Sequence, residues 1–323
     1  MRFGDDDTYS AADFRPGRHV SIGIVIPCYN VSRYIRSTVD SLLSQDFSNW
    51  EAVIVDDGSP DDIRGPIKDI LRVENRLRYF RTENSGVASA RNFGFRQLSC
   101  KADYVLFLDG DDMLQSSALR LLAEELEHHP GAGMVHCEPE FIDEEGRTVN
   151  GLAWLPRWTY GPRRLESHER LTPFESIYAL NGNCALLRRS VYDQTPGYDE
   201  KFGQHFEDTD LFLHMAIRAS VRYLPDKLYC YRQRVGQSTA NRTSHNFQME
   251  KLYRKWRQME GLSPVQLATV RRAEAFRTGE LAAHLGFLAA RRSIKNRRWL
   301  AALRFWQGAV RRSLVSRFQV VRA

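Results

Sequence analysis

The 323-residue chain is 42% hydrophobic and 27% charged, enough apolar content and length to bury a core in about two domains, which excludes a disordered or fibrous protein. It holds no run of eighteen uncharged apolar residues, so no membrane-spanning helix is expected, and the opening "MRFGDDDTYSAADFRPGRHV" lacks the apolar centre of a secretory signal. The net charge of +6 belongs to the last stretch: residues 291–323 carry ten Arg or Lys and no acid, leaving 36 basic against 40 acidic side chains in the first 290.

Residues 1–19 are polar and aperiodic, and a poorly ordered arm is expected there. "VSIGIVIP" (Val20 to Pro27) is a short β-branched run of the kind buried on both faces of a parallel sheet. Ile35, Val39, Leu42 and Leu43 then recur at helical spacing behind Ser32, a candidate N-cap. The unit repeats. "EAVIVDDGS" (Glu51 to Ser59) predicts a second strand, Ile63 to Glu74 a helix, "LRYFRT" a third strand and Val87 to Leu98 a helix. "DYVLFLDGDD" predicts a fourth strand, Ser116 to His128 a helix and "GMVHCE" (Gly133 to Glu138) a fifth strand. Strands alternating with helices argue for a doubly wound α/β sheet.

Beyond Asn150 the pattern loosens. Residues 151–175, rich in Trp, Pro and Arg, suggest a long surface or lid segment. "NCALLRR" (Asn183 to Arg189) predicts another strand and "EDTDLFLHMAIRA" (Glu207 to Ala219) a helix with an acidic first turn. From Asn246 onward the chain reads as helical, with a break at Gly261-Leu262-Ser263-Pro264. Five cysteines without C-x-x-C or zinc-ligand spacing read as buried reduced thiols, and the Asn241-Arg242-Thr243 sequon reads as a chance match.

Open parallel sheets bind ligands beyond the carboxyl ends of their strands, and acids collect at that edge here. Asp56 and Asp57 end the second strand; Asp109, Asp111 and Asp112 end the fourth. Carboxylates brought together raise one another's pKa unless cations or hydrogen-bond donors sit among them. A hard divalent cation, Mg²⁺ or Mn²⁺, takes one or two carboxylates plus substrate phosphates and fits such a cluster. An isolated D-x-D is otherwise a solvated turn.

In order and spacing, "IVIPCYN" (Ile24 to Asn30), "VDDGSPDD" (Val55 to Asp62), "NSGVASARNFG" (Asn84 to Gly94), "LFLDGDDML" and "GYDEKFGQHFEDTDLFLHM" (Gly197 to Met215) resemble the family 2 glycosyltransferases. The resemblance covers roughly residues 20–235. It implies the GT-A fold, a Rossmann-like, mostly parallel sheet, here with a C-terminal helical extension. The implied organisation is a catalytic domain over 20–240, with a nucleotide-binding half (20–115) and an acceptor-binding half (116–240), followed by the extension over 241–323.

The resemblance further implies a UDP-sugar donor and one role per matching residue. Pro27 offers backbone contacts to the base, Tyr29 packs on it and Asp57 accepts its ring N–H, although Tyr29 as a core aromatic and Asp57 as a turn former stay open. Asp109 lies toward the ribose, Asp111 toward the metal, and Asp112 is a second metal contact. Gly86 and Gly110 let the backbone approach the donor. Arg91 holds phosphate or ties two strand-end loops together. Asp208, matching the family's general base, takes the acceptor's proton, so that one direct displacement inverts the anomeric carbon. Glu207 meets the acceptor or simply favours the helix N-terminus. Many relatives have Tyr-Arg-x-His where this chain reads Tyr231-Arg232-Gln233-Arg234; Arg234 cannot ligate a cation but can clamp a diphosphate.

Trp299, Leu303, Trp306, Val310, Leu314, Phe318 and Val321 form one apolar helical stripe among arginines. Such a tail suits the inner face of a membrane, the catalytic body or a second copy in a homodimer. The resulting expectation is a cytoplasmic, inverting hexosyl- or N-acetylhexosaminyl-transferase, peripheral on the membrane if the tail binds lipid, acting on a glycan or lipid-linked acceptor in cell-surface polysaccharide or glycoconjugate synthesis, with no nucleic acid as partner. The rivals are a nucleotidyltransferase, which lacks here a Gly-rich basic loop after the first strand, and a non-catalytic glycan-binding module on the same fold.

Overall fold

Among the described residues eight strands form one sheet, in the spatial order β3 (Leu77–Thr82), β2 (Trp50–Asp57), β1 (Ile22–Cys28), β4 (Tyr104–Phe107), β7 (Ala185–Arg188), β6 (Ala132–Ile142), β8 (Ser220–Arg232) and β5 (Met113–Leu114). The structure is a computed structural model that describes residues 20–149, 185–202, 205–234 and 242–271, together with Glu274 and Gln307. The expected lid over 151–175 and the basic stripe of 291–323 lie outside the described residues.

The parallel half is built from β1 (Ile22–Cys28), β2 (Trp50–Asp57), β3 (Leu77–Thr82) and β4 (Tyr104–Phe107). β1 runs beside β2 from Ile22 opposite Trp50 to Cys28 opposite Asp56, and beside β4 from Ile22 opposite Tyr104 to Val25 opposite Phe107. All seven residues of β1 are buried, which is why the sequence there shows no alternation. Ile22, Ile24, Ile26, Ala52, Ile54, Tyr104 and Leu106 join one core cluster with Ile35, Val39 and Leu42 of α1 (Ile35–Leu43) and Leu119, Leu122 and Leu126 of α3 (Ala118–His128). Burying each such aliphatic side chain contributes roughly 1.5–3 kcal/mol. Helix α2 (Val87–Gln97) packs on β1 and β2 through a surface of small residues, Ala88, Ala90 and Gly94.

The remaining strands make the sheet mixed. β7 (Ala185–Arg188) is antiparallel to both β4 and β6 (Ala132–Ile142). β8 (Ser220–Arg232) runs parallel to β6 with register shifts near Cys137, Glu138 and Pro139, and the two-residue β5 (Met113–Leu114) closes on β8 antiparallel. After β7 come the short α4 (Arg189–Tyr192) and then α5 (Glu207–Ala216). α6 (Arg242–Arg257) and a helical stretch over 264–271 follow β8.

Several expectations change in detail. Cys28, Cys137 and Cys230 are buried as expected, but Cys100, in the turn after α2, is exposed. The helix predicted over Ile63 to Glu74 is two 3-10 turns, Gly65–Ile67 and Ile70–Arg72. Pro66 has no N–H to give, and the Asp62 carboxylate takes the Gly65 N–H at 2.9 Å, so local bonding competes with an α-helix. Ser32 does not cap α1: the cap position is Tyr34 with no side-chain bond, and the Ser32 N–H donates to Asp61 at 2.7 Å instead. The fifth strand extends well past Glu138 to Ile142, held by pairing to β8.

The chain divides into two compact units, Met1–His245 and Asn246–Ala323. In the second, Leu252, Tyr253, Trp256 and Val270 are buried, and Arg257 pairs with Glu274 at 3.3 Å. Among the described residues no helix is long and apolar enough to cross a membrane.

Candidate active site

Parallel pairing brings the ends of β2, β1 and β4 to one edge. The ladder continues past β4, where the Leu108 N–H donates to Val25 O at 3.0 Å and the Gly110 N–H to Pro27 O at 3.2 Å. That second bond presses the DGDD loop onto the end of β1. A Cβ at Gly110 would stand 2.7 Å from Cys28 Sγ and 3.1 Å from Pro27 O, so glycine is required by close approach. Cys28 marks the centre of the edge: burial first, then Asp56, Asp111, Asp109 and Asp61, push its thiol well above the ordinary range.

The two acids of β2 face protein donors. Asp56 is fully buried and accepts hydrogen bonds from Ser59 N at 2.8 Å and from Tyr79 Oη and Arg81 Nη1 at 2.7 Å each. Asp57 is also buried, with Oδ1 accepting from Ser85 N at 2.9 Å and Oδ2 from Gly86 N at 2.8 Å. It thus fixes the turn into α2, whose N-cap Gly86 adopts φ 92° and ψ 160°, a region essentially reserved for glycine. Beside it, Tyr29 is 49% exposed on the loop after β1, a surface aromatic and not a core one.

The three acids after β4 differ from one another. Asp112 is buried and turned inward, its Oδ2 accepting from Tyr229 Oη and its Oδ1 from Arg232 N, both at 2.8 Å. Burial, then Asp111 and Asp109, raise its pKa well above the carboxylate range. Both oxygens of Asp112, expected as a second metal contact, hold β8 onto the loop, so Asp111 is the more open of the two to a cation. Asp111 lies near the surface of the edge, 13% exposed, with Arg234 Nε 2.5 Å from its Oδ2. Burial and then Asp109 raise its pKa, and Arg234 works against them.

Asp109 joins a second network. Arg91 of α2, only 3% exposed, donates from Nη2 to Asp109 Oδ1 and from Nη1 to Glu207 Oε1, both at 2.8 Å. Its guanidinium also lies 5.0 Å from the centre of the Tyr198 ring. Burial alone would lower the Arg91 pKa, but Asp109, Tyr198 and Glu207 hold it well above its ordinary value. Arg91 therefore links the loop after β4 to the first residue of the helix Glu207–Ala216. Glu207 Oε2 is buried without a hydrogen-bond partner. Burial first, then Asp208, push the Glu207 pKa up to about 7 against the pull of Arg91.

Glu207 opens α5, and Phe206 before it takes φ 67°, turning the chain abruptly so that Glu207, Asp208 and Asp210 share the first turn. Asp208 accepts from Thr209 N at 2.6 Å, and its charge reaches Glu207, Tyr198 and His205. His205 is held below its ordinary pKa by burial, opposed by Asp208.

Arg232, part of the Tyr231-Arg232-Gln233-Arg234 segment, carried no assigned role in the sequence. It is buried and donates to the carbonyls of Asp111 at 2.7 Å, Asp143 at 3.0 Å and Glu144 at 2.9 Å, and to Ser37 Oγ at 3.3 Å. Tyr34 lies under both Arg232 and Arg234, with ring centres 5.0 and 5.9 Å from the guanidiniums. The spacing Tyr-Arg-x-Arg was the available signal, although β8 ends at Arg232 and Arg234 lies just beyond it.

The model of the family described as Glycosyl transferase family 2 matches residues 23–195, more than half of the chain. The protein is a family 2 glycosyltransferase. This family 2 chain is 29% identical over 223 residues to the uncharacterized glycosyltransferase EpsJ of Bacillus subtilis, covering 66% of this chain and 61% of that protein. The matches span 19% and 31% of two other curated relatives, so the chain covers less than two thirds of the relatives' length. Among solved structures, residues 1–349 of Staphylococcus aureus TarS in complex with UDP-GlcNAc superpose with a TM-score of 0.63 at 20% identity, covering 90% of this chain and 82% of that one. A Pyrobaculum calidifontis mannosyltransferase, PcManGT, in complex with GDP-Man and Mn²⁺ gives 0.59 at 17% identity, covering 91% and 86%. The fold is GT-A, a mixed α/β sheet flanked by helices.

Asp109 and Asp111 suit a hard cation. They supply two carboxylates on one loop whose mutual repulsion and burial raise the Asp111 pKa, a condition that a cation relieves. Among the described residues no group of three or more His, Cys, Asp or Glu gathers into a complete cage, so donor phosphates would have to fill the remaining positions.

Proposed function

We propose that this glycosyltransferase moves a hexose or N-acetylhexosamine from a UDP-sugar to a glycan or lipid-linked hydroxyl with inversion at the anomeric carbon. The observation that carries the reading is the Arg91 bridge, which holds the start of α5 to the end of β4 through Glu207 and Asp109 at 2.8 Å each. It supports a cleft in which the base on α5 faces the donor held at the strand edge.

In that cleft Asp208 accepts the proton of the acceptor hydroxyl as the oxygen attacks the anomeric carbon. The bond from that carbon to the diphosphate breaks, and the nucleoside diphosphate leaves with the electron pair. Glu207 and Arg91 position Asp208 and Asp109; the latter faces the ribose. Pro27, Tyr29 and Asp57 border the uracil, with Gly86 and Gly110 allowing close backbone approach, and Arg234 clamps the diphosphate. A divalent cation, when bound, supplies Lewis-acid neutralisation of diphosphate charge; Asp111, with Asp109, would hold it. The working catalytic unit is 20–240, with 241–323 as an extension.

The UDP donor follows from the family resemblance of the 24–30 and 55–62 segments; TarS was solved with UDP-GlcNAc and PcManGT with GDP-Man at similar coverage of this chain, so both donors enter the test. Release of UDP or GDP is to be measured across UDP-glucose, UDP-galactose, their N-acetyl forms and GDP-mannose, for wild type, Asp208→Asn and Asp111→Ala. UDP release from at least one UDP-sugar, lost in both variants, is expected. Turnover of GDP-mannose alone, or variants as active as wild type, overturns the donor or the site.

A further inference from the structure

Of the three arginines around the Tyr34 ring, Arg33, Arg232 and Arg234, the last two are held differently. Arg232 is built into the frame, with its guanidinium spread over three carbonyls and a hydroxyl from the DGDD loop, the 143–144 turn and α1. Arg234, two residues on, has its Nε 2.5 Å from the Oδ2 of Asp111, and the two side chains are 19% and 13% exposed. It neutralises the carboxylate best suited to a divalent cation, and a guanidinium has no lone pair with which to join such a cation as a ligand. A guanidinium and a metal ion drawn to one carboxylate oxygen compete, whereas a guanidinium and a diphosphate attract.

We propose that Arg234 is a built-in counter-cation of Asp111 that an incoming divalent cation displaces, and that the displaced guanidinium passes to the diphosphate of the donor. Metal and nucleotide then bind as linked ligands: the metal alone must break the Arg234–Asp111 pair, while nucleotide gives Arg234 a new partner. By linkage, each ligand raises the affinity for the other by the same factor. This inference rests on the donor reading above.

The test is a Mn²⁺ titration followed by electron paramagnetic resonance, with and without UDP, on wild type, Arg234→Ala, Arg234→Gln, Arg234→Lys and Asp111→Asn. Without nucleotide, Arg234→Ala is expected to bind Mn²⁺ about tenfold more tightly, as befits removal of a partly buried competing ion pair. UDP is expected to strengthen Mn²⁺ binding in wild type and to do so about tenfold less in Arg234→Ala, which has no guanidinium to hand over. Arg234→Lys, which keeps the charge, stays nearer wild type, and Asp111→Asn loses the site in every background. Unchanged or weaker Mn²⁺ binding by Arg234→Ala overturns the proposal if thermal melting shows it folded; if it does not fold, Arg234→Gln, which removes the charge and keeps most of the bulk, decides by the same Mn²⁺ readout. Undiminished Mn²⁺ binding by Asp111→Asn also overturns it. Failure of wild type to bind UDP at all, with Mn²⁺ still tightened by Arg234→Ala, sinks the donor reading and not the competition.

Discussion

The acids at the end of β2 and those at the end of β4 look alike in the sequence, each a short acidic run closing an apolar strand, yet the fold uses them in opposite ways. Both oxygens of Asp57 face the backbone N–H groups of Ser85 and Gly86, and Asp56 is fully buried among Ser59 N, Tyr79 and Arg81. Asp109 meets the buried Arg91 of α2, and Asp111 meets Arg234 beyond β8, which is 19% exposed. Backbone donors cannot leave and a fully buried carboxylate cannot lose three donors cheaply, so Asp56 and Asp57 are fixed in place. A partly exposed guanidinium on a flexible stem can change partners, so Asp111 can exchange a protein cation for a ligand.

The variant that tests the comparison hardest is Asp208→Asn. With the β4 edge intact, transfer is expected to fall about 10²–10⁴-fold while UDP binding by calorimetry stays within a factor of a few; a parallel loss of UDP binding would move Asp208 from proton transfer to donor binding. Asp56→Asn probes the architectural side. It turns an amide N–H toward donors that need an acceptor, and urea denaturation should show a loss of about 3 kcal/mol. Activity per folded molecule should be retained, and a specific loss of catalysis would erase the distinction between the two clusters.

Glu207 sits between the two regimes. Its folded pKa is raised, to about 7 from an ordinary 4.5, so its contribution to stability is complete below the unfolded value and is lost as pH climbs through about 7. Wild type should lose on the order of 2 kcal/mol between pH 4.5 and 7.5 relative to Glu207→Gln; equal pH slopes for the two proteins would show that Glu207 is already ionised when folded. The smallest effect is expected at Gly86→Ala. Nothing lies within 4 Å of the added Cβ, and φ of 92° remains as the strain, roughly 1–2 kcal/mol in a thermal melt. An unaltered melting temperature would mean that the Asp57 turn relaxes without cost.

Legibility in the sequence followed the distance between partners. The parallel strands, α2, α3 and α5 could be read because apolar runs, helical spacing and terminal acids are local patterns. The 63–74 segment misled because its apolar spacing is helical, whereas Asp62 and Pro66 act through hydrogen bonds that spacing does not register. Asp112 turns inward because Tyr229 reaches it from 117 positions away, and Arg234 finds Asp111 across 123. No local pattern encodes which of two neighbouring acids a distant strand selects.

By itself the sequence determined the family, the parallel frame and the edge at which acids gather, because strand burial and strand order follow from short-range patterning. Only the tertiary structure decided which acids are sealed by backbone donors, which are held by arginines and how α5 is bridged to the end of β4. Those outcomes depend on β8 and α5 arriving beside a loop made more than ninety residues earlier, where a shift of one residue in register would exchange Asp111 for Asp112.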